Sequence, residues 1–211
     1  MKSRKLEIES KYDIADIEII NKKQVFNGFF KINTYTFKHR LFSGGWSNEI
    51  TREVFERGNA AAVIPYDAGR DEVVLIEQIR IPAIESTSQP WLLELVAGMI
   101  DKQGEDSAEV VKREAIEEAG VEIGRCDFIM QFLASPGGTS EALDLYVGEV
   151  DSSTAHGVHG LVSEGEDIRV HVVSRETAYN MVQTGRINNA STIIGIQWLQ
   201  LNFQTLQKSW L

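Results

Sequence analysis

Arg113-Glu114-Ala115-Ile116-Glu117-Glu118-Ala119-Gly120-Val121 places three carboxylates on the last turns of a predicted helix, the end where negative charge is least welcome. The spacing predicts a helix that begins at Asp106 or Ser107, with Asp106 and Glu109 set as a capping box. It stops at Gly120, the usual left-handed residue after a helix. Helix carbonyls at that end carry partial negative charge, so acidic side chains are repelled, and Glu114 and Glu118 repel each other four residues apart. A bound cation would reverse both costs.

Wound at roughly 100° per residue, the segment brings Val111, Ala115 and Ala119 into a narrow apolar stripe. Glu114 and Glu118 border that stripe, at the rim of the core, where a lone carboxylate is costly and a metal-bound one is not. Glu117 points further out and can meet Arg113 one turn back. The plain alternative is a solvated acidic helix face, which is what charge runs usually are.

Read with its flanks, Gly98 to Val121, the segment resembles the Nudix box, whose Arg-Glu-apolar-x-Glu-Glu-x-Gly-apolar core is matched without a gap from Arg113 to Val121. One departure is visible: six residues separate Gly98 from Glu105 where the pattern has five, so the loop Met99 to Gly104 is longer by one. An insertion ahead of the helix leaves the spacing of the glutamates on it unchanged. It bears on Glu105 and on the path of the loop.

Composition bounds the rest. The 211 residues suffice for one good core plus an appended element, and 43% hydrophobic content is ordinary for a globular chain. No apolar run reaches membrane-spanning length, and Met1 to Glu9 alternates charge rather than forming a signal peptide, so a cytoplasmic location is expected. The single cysteine, Cys126, has no internal disulfide partner and reads as a packing residue. Net charge is −10, with 11 basic and 8 acidic residues up to residue 60 and 10 basic and 23 acidic beyond it. That acidic body disfavours nucleic acid as a partner. An anionic small substrate would need metal ions and a few placed arginines to enter such a field.

The first sixty residues read as strands: Ile17 to Ile20, a turn at Asn21-Lys22-Lys23, a long β-prone run from Phe29 to Leu41, and Trp46 to Phe55 after Gly44-Gly45. So small a sheet is marginal alone. From Ala60 the pattern becomes mixed α/β. Strands are predicted at Ala61–Pro65, Glu72–Ile79, Trp91–Leu95, Phe128–Leu133, Leu143–Val150 and Ile168–Val173, with a turn at Asp67-Ala68-Gly69 between the first two. Helices are predicted at Ser107–Ala119, Glu176–Thr184 (Ser174 as cap, Gly185 as stop) and Ser191–Gln207. The fold class is α/β, a mixed sheet covered by helices on its faces, which the resemblance makes a Nudix-type α/β/α sandwich carrying a small N-terminal antiparallel β element. The expected division is 1–57 for that element, as a dimerisation unit, and 58–211 for the Nudix domain.

Within the superfamily the chain resembles the bacterial ADP-ribose pyrophosphatases, through Phe55-Glu56-Arg57-Gly58, Leu75-Ile76-Glu77-Gln78-Ile79-Arg80, Ala134 to Glu141 and Glu164-Gly165-Glu166-Asp167-Ile168. The resemblance implies Mg²⁺-dependent hydrolysis of ADP-ribose to AMP and ribose 5-phosphate, with Mn²⁺ as a substitute, by a homodimer whose N-terminal sheets cross between subunits. It implies metal contacts from the Ala97 carbonyl, Glu114, Glu118 and Glu166, with Glu164 accepting the proton of the attacking water. Arg113 and Glu117 support them. Substrate contacts fall to Arg52, Glu53, Arg57, Arg80, Met99, the Ser135-Pro136-Gly137 turn and Glu141, the last at a ribose hydroxyl. Phe29 and Phe30 offer a stacking surface for adenine.

Each role has a plainer counterpart: surface ion pairs for the arginines (Arg57 with Glu53 or Glu56), strand packing for the phenylalanines, and a solvent-exposed connection for His156 to Asp167. Hard oxygen ligands suit Mg²⁺. The four histidines, His39, His156, His159 and His171, are scattered and suggest no zinc site; His171, in a predicted strand, reads as structural. Three functions of different class stand open: this hydrolase or one for another nucleoside diphosphate sugar (ADP-glucose, GDP-mannose), a non-catalytic Nudix sensor, and a structural domain with an accidental acidic helix. Crowded acids favour the first, since a pure binder has no need of them.

Overall fold

The computed structural model of the chain describes residues 9–101 and 104–211. The charge pattern of Met1 to Glu9 lies outside them except for Glu9, as do Lys102 and Gln103 of the lengthened loop. By its contacts the chain divides into two compact units, one running to Arg57 and taking in Ser135–Ser140, the other formed by Gly58–Ala134 and Glu141–Leu211.

The first unit is an antiparallel sheet of β1 (Ile17–Asn27), β2 (Lys31–His39) and β3 (Ile50–Glu56), in that order. The turn expected at Asn21-Lys22-Lys23 is instead strand: Lys22 pairs with Tyr35 and Lys23 with Thr34. Two register irregularities, between Ile19 and Asn21 and between Gln24 and Phe26, absorb the polar residues without ending the strand. The reversal comes later, where the Gly28 N–H donates to the Phe30 carbonyl at 2.9 Å, so Phe29 and Phe30 sit in the turn and not in β2. The strand expected from Trp46 also starts later, with Trp46 held by a single bridge to Arg40 before β3 begins at Ile50.

The second unit carries β4 (Asn59–Asp67), β5 (Glu72–Ile79), β6 (Trp91–Glu94), β7 (Val96–Ile100), α1 (Ser107–Ala119), β8 (Cys126–Leu133), β9 (Ala142–Glu149), β10 (Val158–His159), β11 (Ile168–Ser174), α2 (Arg175–Gln183) and α3 (Ala190–Trp210). Its sheet runs β10-β11-β5-β4-β9-β8, with β6 added to β5 and β7 to β4; β4 and β9 are parallel and the other pairs antiparallel. Central strands buried on both faces read as continuous apolar runs, and Ala61–Tyr66 and Val73–Ile76 do so. Val63, Val74, Ile76 and Val96 pack under Val110, Val111, Ala115 and Ala119 of α1. Ile64, Tyr66, Leu75 and Leu145 face Ala178, Ile196, Leu199 and Trp210 of α2 and α3. The sheet is therefore the middle layer of an α/β/α sandwich.

Helix α1 runs over the predicted span. Asp106 caps it by accepting from the Ala108 N–H, and Gly120 ends it at φ 66°, its N–H donating to the carbonyls of Ala115 and Ile116. The capping box is a correction: the Glu109 carboxylate accepts from Lys112 Nζ at 2.8 Å instead of turning back to Asp106. Strand β7 was expected as loop from Met99 onward. The chain breaks at Leu95 and changes partner from β5 to β4, so Met99 and Ile100 are paired with Ala60 and Asn59. Nor is His156–Asp167 a plain connection, since it holds β10 and a 3₁₀ turn over Val162–Glu164. Among the described residues no helix is long and apolar enough to cross a membrane.

Candidate active site

The second unit brings the acids of α1 against β7. The Ala97 N–H donates to Glu118 Oε2 at 3.1 Å, and Glu118 is only 3% exposed. Burial raises the Glu118 carboxyl to about 8; the Ala97 N–H opposes that, Glu114 and Glu166 push it higher, and Arg80 draws it down. Glu114 is raised as well, by burial first, with Arg113 opposing and Glu117 and Glu166 adding to it. Arg113 Nη1 bridges the two other acids, at 2.9 Å from Glu114 Oε1 and 3.0 Å from Glu117 Oε2, as the helical spacing predicted for Glu117. Gly98 gives Glu114 its room, because a Cβ there would collide with the Cγ, Cδ and Oε1 of that side chain.

Of the loop acids, Glu166 comes near enough to act on Glu114 and Glu118. Gly160 donates its N–H to the Glu117 carbonyl at 3.1 Å, hanging the root of the loop on the end of α1. Glu166 Oε2 accepts from the Leu161 N–H at 2.9 Å, which folds the loop back on itself. Glu164 closes the 3₁₀ turn and is exposed, while Glu166 is half-buried. Among the described residues no three His, Cys, Asp or Glu side chains form a ready metal cage. Glu114, Glu118 and Glu166 each rest on a protein donor, yet Glu166 lies near enough to raise the pKa of Glu114, and Glu114 and Glu166 that of Glu118.

Arg80, at the end of β5, grips Glu94 of β6: Nε lies 3.2 and 3.0 Å from the two carboxylate oxygens and Nη2 2.9 Å from Oε2. Gln78 Nε2 donates to Glu94 Oε2 at 3.2 Å. Glu141 is buried just before β9, and Met99 lies within β7. His171 Nε2 meets Glu77 at 2.9 Å and Arg186 reaches the other oxygen at 2.7 Å, a strand-to-loop tie consistent with a structural role. Cys126 is half-buried, and burial pushes its thiol up to about 11.

In the first unit, Phe30 meets Phe29 and Phe55 edge-on, with ring centroids 4.8 and 5.0 Å away, and Arg57 lies over the Phe30 ring at 5.8 Å. Phe29 itself is 88% exposed. Ser135-Pro136-Gly137-Gly138 is a tight turn, the Ser135 carbonyl accepting from Gly138 N–H at 3.0 Å, and the Gly138 carbonyl accepts from Phe55 N–H at 2.8 Å. Arg52 and Glu53 are exposed on β3, Arg52 donating to the neighbouring Thr51 carbonyl. Glu56 is held by Ser140, Asn33 and Tyr35, with Lys22 at 3.9 Å.

The NUDIX domain family matches residues 56–193, which span the acidic helix, the strand beneath it and the loop acids. The chain belongs to that family. This NUDIX chain is 56% identical over 195 residues to the ADP-ribose pyrophosphatase of Escherichia coli K12, covering 92% of the chain and 93% of the relative. It is 49% identical to the ADP-ribose pyrophosphatase of Haemophilus influenzae, over 92% and 91% of the two chains. The GDP-mannose pyrophosphatase of Pectobacterium atrosepticum is 34% identical, over 87% and 93%. A solved structure described as an ADP compounds hydrolase superposes with a TM-score of 0.68 at 18% identity, over 90% of this chain and 98% of that one, a likeness of fold.

Sequence reading passed over two partners of Arg80 in the NUDIX chain, Glu94, which Arg80 grips, and Gln78, which donates to Glu94. Glu94 is a lone acid at the end of an apolar strand, with no helical spacing to mark it. Only the β5–β6 pairing brings it beside Gln78 and Arg80.

Proposed function

We propose that this chain hydrolyses the pyrophosphate bond of ADP-ribose to AMP and ribose 5-phosphate with Mg²⁺, Mn²⁺ serving as a substitute, as a cytoplasmic homodimer. The observation that carries the reading is the set of acids around Glu118, a buried carboxylate supported by one backbone N–H. Identity to the ADP-ribose pyrophosphatases, 56%, well above the 34% to a GDP-mannose pyrophosphatase, supports the substrate.

The residues fit a hard divalent cation: Glu114, Glu118, Glu166 and the Ala97 carbonyl offer only oxygen, and Mg²⁺ needs few carboxylates beside water and substrate phosphate. When bound, the cation neutralises phosphate oxygens and acidifies the attacking water. Arg113 bridges Glu114 and Glu117 and offsets their mutual repulsion. Glu164, exposed on its 3₁₀ turn, takes the proton of the water as the new P–O bond forms and the bridging P–O bond breaks. Arg80 presents a guanidinium to the diphosphate, and Glu141 accepts from a ribose hydroxyl. Met99, Ser135, Pro136 and Gly137 are proposed as further substrate contacts, and Phe29, Phe30, Arg52, Glu53 and Arg57 as contacts supplied by the N-terminal element of the neighbouring subunit. Residues 1–57 serve as the dimerisation element and 58–211 as the catalytic domain. Exposed Ile19, Val25 and Phe26 on β1 favour a covered sheet in the assembly.

Purified protein is incubated with Mg²⁺ and, separately, ADP-ribose, ADP-glucose and GDP-mannose, and the products are resolved by chromatography. AMP and ribose 5-phosphate are expected, with ADP-ribose cleaved fastest. Cleavage of none rejects a hydrolase; a hexose substrate cleaved fastest corrects the sugar.

A further inference from the structure

Arginines that meet phosphate are usually long, mobile and costly to order. Arg80 is not mobile in that way, although its side chain is 47% exposed, because its Nε–Nη2 edge is docked on a Glu94 carboxylate that is only 12% exposed. Glu94 is braced in turn by Gln78, which is itself buried. Strand geometry explains the alignment: Ile76 pairs with Glu94, Gln78 follows two residues on in β5, and Arg80, extended just past the strand with its N–H on the Pro90 carbonyl, keeps the two-residue period. Ile76 lies in the core beneath α1, so all three polar side chains belong to the face that carries Glu118. A planar guanidinium has two forks. Glu94 occupies the Nε–Nη2 fork and leaves the Nη1–Nη2 fork for a second oxyanion.

We propose that Glu94, braced by Gln78, is a positioning residue that holds Arg80 as a preset fork for the substrate diphosphate. The proposal rests on the hydrolase reading above and adds to it the reason Arg80 is in place before substrate arrives. A preset fork spares the ordering cost at binding and fixes the phosphate to within the tolerance that in-line attack needs. Glu94 also has a cost when alone: without Arg80 its buried charge would repel an incoming diphosphate.

That cost gives a test with a sign. In steady-state hydrolysis of ADP-ribose, Glu94→Gln, which keeps the shape and the Gln78 contact, should lower kcat/KM by about 10-fold or more with an unchanged melting temperature. Gln78→Met should lower it less, in the same direction. Arg80→Ala should be impaired further, and adding Glu94→Gln to it should restore part of the lost kcat/KM, because the orphaned carboxylate is gone. An ordinary surface ion pair would give no such recovery. Equal losses from Glu94→Gln in the native and Arg80→Ala backgrounds, or no loss in either, overturn the proposal. Wild-type protein in the same assay tests the hydrolase reading separately. Should it cleave nothing, the same four-protein cycle read by calorimetric binding of ADP decides the fork: partial recovery of affinity in the double variant upholds it, additive losses reject it.

Discussion

Glu118 is a charge placed where the fold alone would not choose one. It lies on the helix whose Val111, Ala115 and Ala119 pack into an apolar cluster, and its hydrogen bond from the Ala97 N–H is the compensation it has there. Burial keeps the group protonated up to about pH 8 in the metal-free protein. Above that value the ionised carboxylate is a cost that Glu118→Gln removes. The metal-free variant at pH 9 should therefore melt at or above wild type by calorimetry, while its Mg²⁺-dependent hydrolysis falls by more than the roughly 10–100-fold typical of lost outer-shell partners. A variant that melts well below wild type would make Glu118 a structural residue. Gly98 serves the same site by omission. Gly98→Ala should displace Glu114 and cost about 1–3 kcal/mol of stability, with activity reduced by more than the loss of folded protein explains. Full activity in a folded variant would mean Glu114 has room that the packing denies it.

At the scale of elements, the sequence was most readable where period, cap and burial agreed. Helix α1 has all three: Asp106 at one end, Gly120 at the other, and a stripe of Val111, Ala115 and Ala119 on the core. Strand β5 was legible from its apolar run alone. Strand β1 was legible only over Ile17–Ile20; every one of its residues is exposed, so no buried face imposed an alternation further on and Asn21-Lys22-Lys23 looked like punctuation. Strand β7 was hidden by Gly98 and by the change of partner at Leu95, a non-local event. The candidate site divides in the same way. Glu114, Glu117 and Glu118 follow from helical spacing, whereas the Glu94 and Gln78 contacts behind Arg80 depend on which strands pair.

For the molecule as a whole, acid stability should be governed by carboxylates outside the site. Burial alone would raise Asp67, but the Ser152 N–H and Arg70 more than offset it, leaving its pKa below the ordinary 3.8. Glu77, likewise penalised by burial, is held below 4.5 by His171 and Arg186. A depressed carboxylate contributes stability above its unfolded value and loses it as pH falls through the folded one. Denaturant melts should thus show stability declining from about pH 4.5 downward, and Asp67→Asn should flatten that decline. An unchanged slope in Asp67→Asn would place the acid sensitivity elsewhere. Another consequence follows from the amide of Gly160 pinned to the Glu117 carbonyl at one end and β11 beginning at Ile168 at the other. The stretch between them has a contour of only about 25 Å at roughly 3.5 Å per residue. Glu164 is on a short leash, so its reach is set by a local loop tethered at both ends rather than by any rearrangement of a domain.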